Sequence, residues 1–424
     1  MTTSSPPPRP VPRPGLRVLA GRPSPALLTL PWAVPLADWQ DHVVPLPRGL
    51  SRHVVRIVRL DGATYAVKET QEPIAFREYH LLRDLQRLDL PTVVPVGVVS
   101  GRVDDAGAPL PAVLVTRHLA FSLPYRHLVA QGMAADSVPA LVDAIVVLLV
   151  RLHLAGFYWG DVSLSNVLFR RDAGGFAAYL VDAETGELRD SVSDALRAHE
   201  LSVAAENIYA ELLDVAASVP HQEAPDPDVV VTMLGERYDA LWTELTGAQT
   251  VDTDELWRIE QRIERLNDLG FDVEELDLVT DLDGDHLEIR PRVVEAGHHR
   301  RELRGLTGLD VQDAQARRLL NDIAAFTTAL DLGREDRHVV ASRWLDQVWE
   351  PLQALVPPEA RGKLEPAEVF HEVLVHRWYL SERAGHEVDL FETARDYVAR
   401  FLPARPDEAI TALGGLPDDD DPPG

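Results

Sequence analysis

One glutamate stands where an apolar residue belongs. Periodicity predicts a helix over residues 74–88, with Pro73 at its entry. Within it Glu78 shares a face with Leu81, Leu82 and Leu85, at i+3, i+4 and i+7, so its carboxylate points along the apolar stripe. A buried carboxylate needs a counter-ion. The natural one is Lys68, which ends the preceding strand through Ala66-Val67-Lys68. Of 41 basic residues only Lys68 and Lys363 are lysines, so a compact ammonium is the exception in an arginine-rich chain. A fold for this sequence has to bring that strand and that helix together.

Around this pair, residues 43–119 read as strands carrying one helix. Residues 52–60 are β-rich, Asp61-Gly62 is a hairpin turn, and 64–68 is a second strand. Extended runs follow at 93–99 and 112–116. The pattern then turns helical. Leu141, Ile145, Leu148, Leu149 and Leu152 mark one face of a buried helix that stops before Gly156. Short β-like runs at 166–169 and 177–181 precede a helical stretch over 195–217.

Residues 220–228 form the best linker candidate, with three prolines and few apolar groups. Beyond it helices are expected near 229–245 and 253–269, then an acidic hairpin over 273–293 turning at Asp283-Gly284. Four helices near 310–330, 339–355, 366–383 and 390–401 complete the pattern. The expected division is a Pro-rich disordered arm over 1–24, a β-rich part over 25–119, a helical part over 120–219, the linker, a mostly helical accessory domain with one β-hairpin over 229–404, and an acidic disordered tail over 405–424.

Composition excludes several classes. With no cysteine there is no disulfide scaffold, thiolate metal site or cysteine nucleophile. Sixty-eight acidic residues against 41 basic ones give a formal charge of −27, unsuited to sequence-independent contact with phosphate backbones, so no nucleic-acid partner is expected. The longest tight apolar run, 144–150, is too short to cross a bilayer, and no signal-peptide pattern opens the chain. A cytoplasmic protein without a transmembrane segment is the resulting expectation.

The chemistry-bearing residues come in a fixed order. After Lys68 and Glu78, the buried helix runs into Gly156-Phe157-Tyr158-Trp159-Gly160-Asp161-Val162-Ser163-Leu164-Ser165-Asn166, then the β-like Val167-Leu168-Phe169. Tyr179-Leu180-Val181-Asp182 is an apolar run ending in an aspartate. Each piece alone has a plain structural explanation: an ion pair, a turn, a helix cap. Four pieces in this order, on these elements, are far more specific.

Over roughly residues 43–215 this sequence resembles the protein-kinase-like superfamily, through a strand lysine, a helix glutamate, an Asp-x-x-x-x-Asn loop and an aspartate after a short hairpin. The resemblance implies an α+β, bilobal protein-kinase-like fold, with a small β-rich N-lobe and a helical C-lobe, followed by the mostly α-helical accessory domain. It implies ATP and Mg²⁺ as cofactors. Lys68 would contact the α/β-phosphates and pair with Glu78, with Ala66 and Gly49 also at the nucleotide. Asn166 and Asp182 would hold the metal, and Asp161 would orient or deprotonate the acceptor hydroxyl.

Departures from protein kinases narrow the branch. Trp159-Gly160 stands in place of His-Arg, Asp182-Ala183-Glu184 in place of Asp-Phe-Gly, and residues 47–51 hold one glycine rather than three. No Ala-Pro-Glu follows Asp182. A glycine directly before the aspartate is similar to the lipopolysaccharide-kinase-like (Kdo kinase-like) branch, whose acceptor is a sugar, lipid-linked group or other small hydroxyl. Residues 308–322 and 371–382 resemble a bacterial domain of unknown function found fused to such kinases, which leaves the C-terminal half as the place for a protein partner. The alternative reading is a pseudokinase that binds nucleotide without turnover. An aminoglycoside-type phosphotransferase shares the mechanism and differs in acceptor.

Two further clusters stand out. His298, His299, Arg300, Arg301 and Arg304, with Arg290 and Arg292 before them, could receive an anion, although a solvated helix face balancing nearby carboxylates explains them as well. Asp281, Asp283 and Asp285 around Gly284 suggest a calcium loop, but position 12 of such a loop is Arg292, and a hairpin turn is the better explanation.

Overall fold

The computed structural model describes residues 16–21, 25–40, 43–44, 53–130, 137–218, 225–252, 257–268, 270–280 and 286–411. The architecture is α+β, and contacts divide it into two compact units. The first holds the described residues up to Leu119 together with Asp182–Gly186; the second holds Ala120–Val181 and the residues from Glu187 onward.

The first unit is built on a six-stranded antiparallel sheet. Its strands are β1 (Arg17–Ala20), β2 (Val43–Val44), β3 (Val55–Leu60), β4 (Ala63–Thr70), β5 (Pro95–Ser100) and β6 (Ala112–Arg117), in the order β1-β5-β6-β4-β3-β2. Helix α1 (Glu72–Arg87) follows β4 directly, with Pro73 in its first turn as expected. Asp61 (φ 49°) and Gly62 (φ 74°) make the β3–β4 turn in the left-handed region. Val67 is fully buried, and Val58, Val99, Val113 and Val115 pack with Trp32 and Trp39 in one core. β4 is central, flanked by β3 and β6, so Lys68 sits across from Val55 and Leu114 on a rigid strand.

β1 corrects the expectation of a disordered arm over residues 1–24. Arg17–Ala20 pairs with β5 in register, Arg17 opposite Ser100. Its side chains are largely exposed, so the strand is held by backbone pairing, which Pro-rich composition does not reveal. Residues 25–39 then return over the sheet and bury both tryptophans.

The second unit begins with α2 (Tyr125–Ala130) and α3 (Ser137–Leu154), followed by β7 (Phe157–Tyr158), β8 (Val167–Asp172), β9 (Gly175–Leu180), β10 (Glu187–Leu188) and α4 (Asp194–Ser218). β8 and β9 form a hairpin, paired from Val167 opposite Leu180 to Asp172 opposite Gly175. α3 is 18 residues with mean hydropathy 1.9, enough by length and composition to cross a membrane, and 56% of it is buried. Leu141, Ile145, Leu148, Leu149 and Leu152, the face picked out by periodicity, are all buried in the protein core.

The remainder of that unit is mostly helical: α5 (Pro227–Thr246), β11 (Gln249–Asp252), α6 (Trp257–Asp268), β12 (Phe271–Thr280), β13 (His286–Ala296), α7 (His298–Thr307), α8 (Asp313–Ala329), α9 (Arg337–Trp344), α10 (Glu350–Ala354), α11 (Pro366–Ala384), α12 (Leu390–Arg400) and α13 (Glu408–Thr411). Trp344, Trp349, Phe370, Leu352 and Leu402 form its core. The expected acidic hairpin is present as β12–β13, but its Asp281, Asp283 and Asp285 lie outside the described residues, as do the Pro-rich start at residues 1–15, residues 219–224 of the linker segment, and residues 412–424. α13 corrects the expectation of disorder over the whole of 405–424: Glu408 is buried and paired with Arg171, 237 residues away.

Candidate active site

Lys68 gathers carboxylates. Its Nζ lies 2.6 Å from Oδ2 of Asp182, 3.1 Å from Oε2 of Glu78 and 3.1 Å from Oε2 of Glu184. Glu78 is fully buried in α1, on the same face as the buried Leu82 and Leu85, as its helical phase dictates. Burial pushes the Glu78 carboxyl up to about 7, with the Asp182 charge adding to the rise and the Lys68 ammonium opposing it. Burial alone would lower the lysine, but Glu78, Asp182 and Glu184 more than offset it and hold Lys68 above its usual range.

The segment that brings Asp182 to this lysine is pinned at both ends. Asp182 Oδ1 accepts from the Glu184 backbone N–H at 3.1 Å, closing a tight turn. Ala183 is fully buried. The Arg77 guanidinium of α1 donates to the Gly186 carbonyl at 2.9 Å, so the helix that carries Glu78 also holds this turn. Glu184 reaches back to the lysine and also meets His53 Nε2 at 3.1 Å. Neither Glu184 nor His53 was singled out by sequence; the sole hint was the acidic residue two places after Asp182.

Oxygens of Glu78, Asp182 and Glu184 lie within 4.8 Å of one another. Three carboxylates around one ammonium leave negative charge in excess, and the buried Glu78 Oε1 makes no hydrogen bond among the described residues. Such a set of hard oxygen donors suits a divalent cation of the Mg²⁺ type.

In the second unit, Asp161 and Asn166 are brought together as their spacing implied. Asn166 Nδ2 donates to the Asp161 carbonyl at 3.0 Å and to its Oδ2 at 3.3 Å. Gly160 has φ of +81°, a conformation in which a side chain is strained, so the glycine before the aspartate is a backbone requirement. Ala66 lies on β4, half-buried, opposite Ile57 and Thr116. Gly49 lies outside the described residues.

α4 supplies the supports of this loop. Glu200, Asn207 and Glu211 fall at i, i+7 and i+11 on one helical face. Glu200, 1% exposed, accepts the backbone N–H groups of Trp159 at 2.8 Å and Gly160 at 2.6 Å. It also bonds the buried His153, whose other ring nitrogen meets the Tyr238 hydroxyl at 2.6 Å. Asn207 donates to the Val162 carbonyl at 3.0 Å and to Asp161 Oδ1 at 3.4 Å. Glu211 accepts from the backbone of Leu164 at 2.6 Å and Ser165 at 3.0 Å. The residues 159–166 are therefore hung from one helix.

Three described members of the cationic cluster face carboxylates of their own surroundings. His299 meets Asp313 at 2.9 Å, Arg300 meets Asp310 at 2.9 Å, and His298 lies 3.9 Å from Glu302. These contacts balance charge at those three side chains; the side chains of Arg290 and Arg292 lie outside the described residues.

Comparison with known proteins matches two separate stretches of the chain. Residues 56–207 match the lipopolysaccharide kinase (Kdo/WaaP) family, and residues 240–402 match a domain of unknown function (DUF4032). No curated protein matches the sequence. Among solved structures, WaaP in complex with acyl carrier protein is similar at 18% identity, covering 53% of this chain and 99% of that one, with a TM-score of 0.31. The kinase-like residues, Lys68 to Asn207, all fall inside the first matched segment. Residues 56–207 are thus similar to the lipopolysaccharide kinase (Kdo/WaaP) family, and residues 240–402 to the DUF4032 domain of unknown function.

Proposed function

We propose that the protein is an ATP- and Mg²⁺-dependent phosphotransferase whose acceptor is a hydroxyl on a sugar, lipid-linked or other small molecule. The observation that carries this reading is the Lys68 ammonium, fixed on a central strand by Glu78 and Asp182. Phosphoryl transfer is mainly positioning and charge neutralisation, so it needs a cation that cannot wander. Lys68, held on three sides, is such a cation for the α/β-phosphates.

Asp182 and Asn166 would hold Mg²⁺, with Glu184 as a further oxygen donor beside Asp182. Bound Mg²⁺ supplies neutralising charge for the phosphate oxygens. Asp161 takes the proton from the acceptor hydroxyl as that oxygen bonds to the γ-phosphorus, while the bond from the γ-phosphorus to the β,γ-bridging oxygen breaks and ADP leaves. Asn166 and Asn207 orient the Asp161 carboxylate for that proton. Ala66 and Gly49 line the nucleotide's place in this reading.

The same reading puts the kinase-like N-lobe at 25–119, its C-lobe at 120–219 and the accessory domain at 229–404, and places the chain in the cytoplasm, with any protein partner on the accessory half. The test is turnover with γ-labelled ATP. Label should pass to a sugar or lipid-linked hydroxyl acceptor, and Asp161→Asn should stop the transfer. A wild-type protein that binds nucleotide yet leaves all label on ATP, with none on itself, would establish the pseudokinase alternative instead.

A further inference from the structure

The β8–β9 hairpin has Asn166 at one foot and runs into Asp182 at the other, with Val181 N–H donating to the Asn166 carbonyl at 3.1 Å across its base. The far end of a hairpin ordinarily faces solvent, and here that end is the turn from Asp172 to Gly175. Instead it is gripped by the accessory helices at several points.

Asp172 meets the N-terminus of α8. Its Oδ1 accepts from Gln315 N–H at 2.7 Å and its Oδ2 from Ala314 N–H at 3.2 Å, so one carboxylate satisfies two N–H groups in the first turn of a 17-residue helix. Glu368 of α11, 2% exposed, accepts from Ala173 N–H at 3.0 Å and from Gln315 Nε2 at 2.9 Å. Gln315 Nε2 also donates to the Arg171 carbonyl at 3.0 Å. Arg171 pairs with buried Glu408 of α13 at 2.7 Å, and Arg170 pairs with Glu365. On the second strand the Tyr179 hydroxyl donates to Gln312 Oε1 at 2.7 Å.

These contacts differ from ordinary domain packing in two ways. They converge on one turn and its flanking strands, and they are made by charged and amide groups whose partners are directional. An apolar interface tolerates sliding; a set of paired buried charges does not, because any shift leaves a donor or carboxylate without its partner. The hairpin is also the covalent path between the two residues assigned to the metal, sixteen positions apart.

We infer that the DUF4032 half is a built-in positioning domain, which clamps the β8–β9 hairpin through Asp172, Glu368, Gln315 and Tyr179 and so sets Asn166 and Asp182 for the metal–nucleotide. This rests on the phosphotransfer reading above. Asp172, Glu368, Gln315 and Tyr179 are positioning residues: they act on the metal–nucleotide through the hairpin.

The experiment uses the full chain and measures the dissociation constant of a non-hydrolysable ATP analogue with Mg²⁺ by calorimetry, alongside the melting temperature. Asp172→Ala should weaken binding by on the order of fivefold or more, and the milder Tyr179→Phe by about twofold, each at a temperature where the variant is folded. Asp322→Ala is the control. Asp322 bonds the Trp344 indole at 2.7 Å inside the helical core, away from the hairpin. It should lower the melting temperature and leave the dissociation constant unchanged.

If Asp172→Ala melts too low to measure, Tyr179→Phe decides alone. Equal affinity in the wild type and the hairpin variants would overturn the positioning role while leaving phosphotransfer intact. So would an affinity loss in Asp322→Ala matching that in Asp172→Ala, since general destabilisation would then suffice. A wild type that binds no Mg²⁺-nucleotide at all would instead remove the phosphotransfer reading and this inference with it.

Discussion

Lys68 Nζ and Asp182 Oδ2 are 2.6 Å apart, although 114 residues separate them in the chain. The lysine also bonds Glu78 and Glu184, so one ammonium faces three carboxylates. Lys68→Ala would leave those carboxylates facing one another with no ammonium between them. Turnover should fall by at least about a hundredfold, and Glu78, already pushed up to about 7, should take up a proton at neutral pH. Lys68→Arg should not rescue, because a planar guanidinium cannot occupy the place of a compact ammonium bonded on three sides. Steady-state kinetics on both variants is the check.

Glu200 holds two backbone N–H groups and a buried imidazole. In Glu200→Ala the N–H groups of Trp159 and Gly160 lose their acceptor inside the protein. The expected cost is roughly 3 kcal/mol of stability, counted as two unsatisfied buried donors. Urea unfolding of the variant measures it. A change within about 0.5 kcal/mol would show that the loop is not hung from α4.

Gly160 occupies the left-handed region at φ +81°. Gly160→Ala should cost about 1 kcal/mol of stability. Its effect on turnover should be larger than that, since the strain sits on the residue before Asp161. A variant whose melting temperature drops while kcat stays constant would separate the loop's backbone from the chemistry.

Packing against the accessory helices pushes the Asp172 carboxyl up to about 7, with the two backbone donors of α8 opposing the rise and the charges of Asp313 and Glu368 adding to it. Between about pH 4 and 7 the folded chain therefore holds a proton that the unfolded chain has lost. That contribution is complete below about pH 4 and disappears as the pH rises through about 7. From pH 5 to 7 the stability of the wild type should decline relative to Asp172→Asn by about 1 kcal/mol, allowing for the residue's partial exposure. Parallel stability curves for the two proteins would contradict this assignment.

The Lys68–Glu78 pair was legible because both signals are local: a carboxylate out of place in a helical stripe, and a rare lysine on the adjoining strand. Asp161, Asn166 and Asp182 were legible as an ordered set whose spacing is characteristic. The supports were not. Glu200, Asn207 and Glu211 occur at helical spacing on a long helix, where polar residues ordinarily face water, and nothing in their neighbours marks them as bonded inward. The clamp on Asp172 joins residues 142 and 143 positions apart through backbone donors, which no side-chain pattern encodes. Strand β1 was missed for a related reason, since its stability lies in backbone pairing with β5 rather than in a buried face.

The most direct measurement is thermal melting of the wild type and Asp182→Asn across millimolar Mg²⁺-ATP. Binding to the folded chain alone raises its stability with ligand concentration. The wild type should gain several degrees, and Asp182→Asn, which loses the carboxylate facing Lys68, should gain none. A wild-type melting temperature that stays flat over the whole concentration range would contradict a nucleotide site built on Lys68.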